Sequence, residues 1–219
     1  MQVLQMILGK PFFGQENASS PVHFSNVVIF GETGVGKSSL INLITNGSAQ
    51  ARTSSDAVPC TENKHAYNVT IDDRAFKIWD TVGLDSGGWI RPWFEEWKLK
   101  RFLSQMLERE ELGLLVYCMR GSRAKKAIKR HYQAFCSEVR GASVPVVVVV
   151  TCLERHPGDL EGWWNNNSDN FSSYGLTFDG HACVTTLPDN SSGLDLREKL
   201  SSSYRAVRTL ISQHCLRRT

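Results

Sequence analysis

No Cys-x-x-Cys pair, no long apolar run and little excess charge occur in this sequence, and each lack closes off a class of protein. The six cysteines, Cys60, Cys118, Cys136, Cys152, Cys183 and Cys215, are scattered, several of them inside apolar runs. That is the pattern of reduced, mostly buried thiols and not of a disulfide framework. No stretch approaches the roughly 20 apolar residues that cross a bilayer, and Val146 to Val150 suits a buried strand. The first residues lack the basic start and small-residue cleavage site of a secretory signal. These features together predict a cytoplasmic protein without a transmembrane segment. The net charge of +3 is small, and its two basic clusters, Arg120 to Arg130 and Arg217-Arg218, read as solvated helix surface. A nucleic-acid footprint needs Lys and Arg massed on one face, so no nucleic-acid partner is expected.

What is present fits an α/β chain. Of 219 residues 41% are apolar and 21% charged, the globular range. Residues 1–22 contain Gly, Pro, Asn and Ser without clear periodicity and are expected to form a loosely ordered leader. Residues 23–219 are expected to form one domain. Within it Val27 to Phe30 is a short continuous apolar run, as expected of a strand buried on both faces. Ser38 to Thr45 starts a helix, and residues 47–63 are a polar loop. Ala66 to Ile71 and Ala75 to Trp79 are strands joined at Asp72-Asp73-Arg74. Pro92 to Glu110 is helical, with proline in its first turn. Gly113 to Met119 is a strand, Ala124 to Val139 a basic amphipathic helix and Pro145 to Thr151 the most apolar strand. Residues 155–180 read as loop-rich. Ala182 to Thr185 is a last short strand, and Leu194 to Leu216 closes the chain as a helix. Strands and helices in alternation imply a mostly parallel sheet with helices on both faces.

The strongest motif is Gly31-Glu32-Thr33-Gly34-Val35-Gly36-Lys37-Ser38, which has the Gly-x-x-x-x-Gly-Lys-Ser spacing of a phosphate-binding loop. Glycines let the backbone curl so that successive N–H groups face a β-phosphate. Lys37 brings a point charge to the β and γ oxygens, and Ser38 brings a hydroxyl to Mg²⁺. The following helix presents its N-terminus to the anion. Asp80-Thr81-Val82-Gly83 completes the pattern at the end of the third strand. There an acidic residue can orient a metal-bound water, and Gly83 can bring its N–H to a γ-phosphate. The two motifs predict a three-layer α-β-α P-loop NTPase fold with a mostly parallel central sheet.

At this point residues 23–216 resemble the translation-factor-like class of G domains, and within it the Era-like, septin-like and immunity-associated GTPases. The resemblance implies GTP or GDP with Mg²⁺ as the ligand. It implies that nucleotide is held by Gly31, Glu32, Thr33, Gly34, Val35, Gly36, Lys37, Ser38, Ser39, Asp80, Gly83, Thr151 and Glu154. The metal would be held by Ser38, Thr61 and Asp80, and catalysis carried by Lys37, Thr61 and Gly83. Thr61 stands at the place of the first-switch threonine, with Thr53, Ser54 and Ser55 as rivals in the same loop. The base-recognition motif, Asn/Thr-Lys-x-Asp in such families, reads Thr151-Cys152-Leu153-Glu154. Glu154 is suited to accept hydrogen bonds from guanine N1 and N2. Cys152 stands where a lysine stem would cover the base, which weakens the guanine inference. The last motif, usually Ser-Ala-Lys, has its place at Val184-Thr185-Thr186, which is not recognisable alone. Leu84 stands where Ras-like proteins have the glutamine that orients attacking water. That departure implies slow hydrolysis, with water placed by another group such as Asp85 or Ser86, by Glu32 or Thr33, or by a partner.

Trp89, Trp93 and Trp97 recur every four residues and would share one helix face. They either pack on the sheet or form a nucleotide-gated surface for a homodimer or an effector. Trp163 and Trp164 either cover the nucleotide or anchor their loop. Three readings follow: a switch-type GTPase acting through loops 47–63 and 81–91, a nucleotide-binding pseudo-GTPase or scaffold with little turnover, and an ATPase or kinase. The arginine-rich lid expected of a kinase is not evident. Leu84 and Cys152 favour the second over an efficient enzyme, while intact Lys37, Ser38, Asp80 and Gly83 favour real Mg²⁺-nucleotide binding, and the first reading is preferred.

Overall fold

The computed structural model describes residues 23–47, 65–81, 83–84, 92–121, 125–186 and 194–217. The leader, Thr61 with its rivals, Asp85, Ser86 and Trp89 lie outside the described residues.

Side chains alternate across a strand, and in the three central strands both sets are apolar. In β1 (Ser25–Phe30), β4 (Leu112–Arg120) and β5 (Val146–Thr151), Val28, Phe30, Leu115, Tyr117, Val148 and Val150 go to one face. Val27, Ile29, Leu114, Val116, Val147 and Val149 go to the other. A strand with no polar face needs cover on both sides. Helices α2 (Pro92–Glu108), α3 (Lys125–His131), α4 (Ser137–Gly141) and α5 (Glu161–Ser173) lie on the first face. Helices α1 (Lys37–Ile44) and α6 (Leu194–His214) lie on the second. The expected three layers are present.

With β2 (His65–Ile71), β3 (Arg74–Asp80) and β6 (Gly180–Cys183), the sheet runs β2-β3-β1-β4-β5-β6. Only β2 is antiparallel to its neighbour. Its turn places Asp72 and Asp73 at φ 47° and 59°, the paired left-handed residues that match the twist of a tight hairpin. Arg74, at the start of β3, gives its guanidinium to the carbonyls of Ser212 (2.7 Å) and Cys215 (2.9 Å) at the end of α6. A cation there satisfies orphan carbonyls and opposes the helix dipole.

One expectation fails and two are adjusted. The segment expected to be loop-rich contains the 13-residue helix α5. Asn165-Asn166-Asn167, Ser168 and Asn170 are weak helix formers, and they hid a stripe in which Leu160 and Phe171 are buried and Trp164 packs against the same core. Tertiary burial overrides propensity here. The basic amphipathic helix runs without a break from Lys125 to Gly141, with a π-helical turn at Tyr132–Cys136 between α3 and α4. Ile128, Tyr132, Phe135, Cys136 and Val139 are buried, while Lys129 and Arg130 stay exposed. The last strand also begins two residues early, at Gly180. Pairing still continues past it, since the Val184 N–H donates to the Val150 carbonyl at 2.8 Å.

Candidate nucleotide site

The carboxyl ends of β1, β3 and β5 converge, as ligand sites do in parallel α/β sheets. Gly31 follows β1 directly, and a Cβ on it would run into the carbonyl of Cys118 on β4. That close approach, together with a φ of 156° that side chains rarely adopt, requires glycine there. Gly36 has φ 91° and ends the loop as the cap of α1, a left-handed turn that favours glycine. Lys37, Ser38 and Ser39 then open α1, whose first N–H groups lack helical partners.

Lys37 is buried, and its ammonium donates to the carbonyls of Gly31 at 3.1 Å and Glu32 at 2.9 Å. Burial lowers its pKa, against the pull of Asp80 and Glu32. The Ser38 hydroxyl donates to Asp80 Oδ2 at 3.0 Å. Asp80 Oδ1 is buried and has no hydrogen-bond partner among the described residues. Burial raises the Asp80 pKa more than Lys37 and Ser38 lower it. A buried carboxylate oxygen left unpaired is costly, and one beside a serine hydroxyl matches the oxygen ligands a Mg²⁺ ion takes. The residues present therefore fit the expected metal. Thr61, the third expected ligand, lies outside the described residues.

The chain after β3 returns to the phosphate loop. Thr81 donates its hydroxyl to the Ile29 carbonyl at 2.8 Å. Leu84 pairs with Glu32 as a parallel bridge, and its side chain is fully buried in the core with Val28 and Phe30. Gly83 lies against Thr33: a Cβ there would stand 2.7 Å from the Thr33 Cα.

At the end of β5, Thr151 is fully buried. Its hydroxyl sits 2.5 Å from the Val35 carbonyl and 3.0 Å from that of Met119. It ties β5 to the phosphate loop. Cys152 is half-buried at φ 60°, and Glu154 is half-buried in the turn that follows. That turn is held from α6 by Lys199, whose ammonium donates to the His156 carbonyl at 3.0 Å and pairs with Asp195 at 2.9 Å. Sequence reasoning missed Lys199, although its spacing of four from Asp195 is a helical ion-pair signal. The fully buried Thr185 donates its N–H to the Ser203 hydroxyl at 3.0 Å. The Thr186 hydroxyl lies 3.8 Å from where a Cβ on Gly36 would stand. Val184-Thr185-Thr186 thus does reach the phosphate loop.

The tryptophans divide. Trp163 donates its indole N–H to the Gly121 carbonyl at 3.2 Å. Trp164 stacks on His181 with centroids 4.2 Å apart and on Phe171 at 5.1 Å. Both anchor α5. Trp93 and Trp97 instead face out from α2, 60% and 48% exposed. Trp97 stacks on Phe94, and Lys98 and Arg101 lie over the Phe94 and Trp97 rings.

Comparison with known proteins accords with this geometry. The model of the 50S ribosome-binding GTPase family matches residues 26–152, more than half of the chain. The chain belongs to that GTPase family. Among solved structures, the chain is similar to Toc33 from Arabidopsis thaliana in complex with Mg²⁺ and GMPPNP. That match has 19% identity and a TM-score of 0.56, covering 86% of this chain and 81% of the other. It is also similar to a variant of Era from Aquifex aeolicus bound to GDP·AlF₄⁻, with 17% identity and a TM-score of 0.58. That match covers 89% of this chain and 57% of the other. A third likeness is the complex of SsGBP with GDP, with 18% identity and a TM-score of 0.53, covering 89% of this chain and 52% of the other. The chain spans little more than half the length of the SsGBP and Era chains. At such identities these likenesses establish the fold alone. No curated protein sequence matches the chain. Among the described residues no helix is long and apolar enough to cross a membrane.

Proposed function

We propose that this GTPase-family protein binds GTP and GDP with Mg²⁺, hydrolyses GTP slowly and acts as a switch through loops 47–63 and 81–91. The observation that carries the reading is the Asp80 carboxylate, with one oxygen on Ser38 and the other unpartnered among the described residues, in the same site as the Lys37 ammonium. Ser38 and Asp80 hold the ion, with Thr61 as the third ligand. When bound, the ion would draw charge off the phosphate oxygens. Lys37 and the backbone amides between Gly31 and Ser39, that of Thr33 excepted because it is bonded to Leu84, bind the phosphates, and the Gly83 N–H meets the γ-phosphate. Lys37, Gly83 and Thr61 thereby stabilise charge during hydrolysis. Glu154 accepts from guanine N1 and N2, and Thr151 holds the strand that carries it.

Glu154 gives the direct test. Glu154→Ala should weaken GTP about ten- to a hundredfold, the worth of hydrogen bonds to a charged acceptor, and leave ATP nearly unchanged in titration calorimetry. Equal loss for both nucleotides removes Glu154 from base recognition.

A second reading, a nucleotide-dependent scaffold with little turnover, is favoured by the outward face of α2. Trp93 and Trp97 are exposed on the helix that follows the second switch loop, and large exposed apolar groups mark interaction surfaces. A homodimer or effector meeting this face would report nucleotide state. Light scattering should show a larger mass with a non-hydrolysable GTP analogue than with GDP, and Trp93→Ala with Trp97→Ala should abolish the difference. Equal masses in the wild-type protein exclude the homodimer.

A further inference from the structure

We infer that Thr33 is a positioning residue: it holds the first residues of the second switch on the phosphate loop and so presets the Gly83 amide. The inference rests on the nucleotide reading above and deepens it. Pairing of β1 with β3 runs to Ile29 opposite Asp80 and then resumes at Glu32 opposite Leu84. Three steps along one chain face four along the other, so the second chain bulges by one residue between Asp80 and Leu84. Bulges of this kind re-aim backbone groups beside active sites.

Beyond the bulge the chain is pinned. The Leu84 N–H donates to the Gly31 carbonyl at 3.1 Å, and the Thr33 N–H donates to the Leu84 carbonyl at 2.8 Å. The Thr33 hydroxyl adds a longer bond to that carbonyl at 3.3 Å. Leu84 itself is fixed by complete burial. Gly83 has no room to slide, with the Thr33 Cα and N at 2.7 and 2.9 Å from any Cβ it might carry. The stretch holding Asp80 and Gly83 is therefore clamped at both ends. The metal ligand and the γ-phosphate donor are set before nucleotide arrives. Thr33 binds Leu84 through both its backbone N–H and its hydroxyl. It acts on the γ-phosphate through Gly83 and not on the base or the β-phosphate.

The test compares GDP with a non-hydrolysable GTP analogue by titration on the full chain. Thr33→Val keeps the branched shape and loses the hydroxyl. It should weaken the analogue about three- to tenfold, the worth of one hydrogen bond, and change GDP by less than about twofold. Thr33→Ser should restore the analogue's affinity. Thr33 is exposed, so both variants should melt with the wild-type protein, and Gly83→Ala should also lose the analogue selectively. Equal weakening of both nucleotides by Thr33→Val, or no weakening, overturns the assignment. A wild-type protein that binds neither nucleotide overturns the functional reading and this one with it, and that result is read before any variant is made.

Discussion

Lys37→Ala should lower guanine-nucleotide affinity at least about a hundredfold, because it removes charge-assisted bonds to phosphate in a buried site. The fold should survive. The Lys37 ammonium is buried and donates to two loop carbonyls, but the sheet and both helical layers pack without it. The melting temperature of the nucleotide-free variant should therefore stay within about 5 °C of wild type, a change of the order of 1 to 2 kcal/mol. A pH series separates the two effects. Burial lowers the Lys37 pKa below 10.5, so the unfolded chain holds the proton more tightly than the folded one. Nucleotide-free wild-type protein should then gain stability as pH rises from the lowered value toward 10.5. Lys37→Ala should lack that component. Retained nucleotide affinity in calorimetry would remove the phosphate-loop assignment.

Leu84→Gln should not accelerate hydrolysis, although it places a glutamine where Ras-like proteins carry one. Leu84 is fully buried with Val28 and Phe30, and both of its backbone groups are bonded to the phosphate loop. A glutamine confined there cannot reach solvent or orient water. Its amide enters an apolar core and costs about 2–4 kcal/mol, a fall in Tm of about 5–15 °C for a chain of this size. The wild-type rate should be of the order of 10⁻⁴ to 10⁻² s⁻¹, the intrinsic range of unassisted G domains. Phosphate release and thermal melts measure both quantities. A stable variant that hydrolyses GTP faster would show that residue 84 can turn toward the phosphate.

How far the sequence carried the fold follows from where its signals are local. Gly31 to Ser38 is legible because each residue type serves a local need: a close approach at Gly31, a left-handed turn at Gly36, a charge at Lys37. The strands Val27 to Phe30 and Val146 to Val150 are legible because burial on both faces leaves no polar position. Helix α5 was not, because its asparagines and serines favour turns when read alone, and the burial of Leu160 and Phe171 in the core, with Trp164 stacked on His181 of the last strand, makes it a helix. The π-helical turn leaves no mark in the sequence, whose buried positions keep α-helical spacing. In the site, the apolar character of Leu84 at the place of a glutamine was legible from its residue type. Its pairing with Glu32 and Thr33 has no sequence signature, being a contact between residues some fifty positions apart. Lys199 escaped notice because its partner is a backbone carbonyl, which any residue supplies.

The central claim is that the buried Lys37, Ser38 and Asp80 hold a guanine nucleotide with Mg²⁺. The most direct measurement is chromatography of the nucleotide released when the protein, purified in Mg²⁺, is denatured. GTP or GDP in near-stoichiometric amount is the predicted result. An adenine nucleotide in that amount would contradict it.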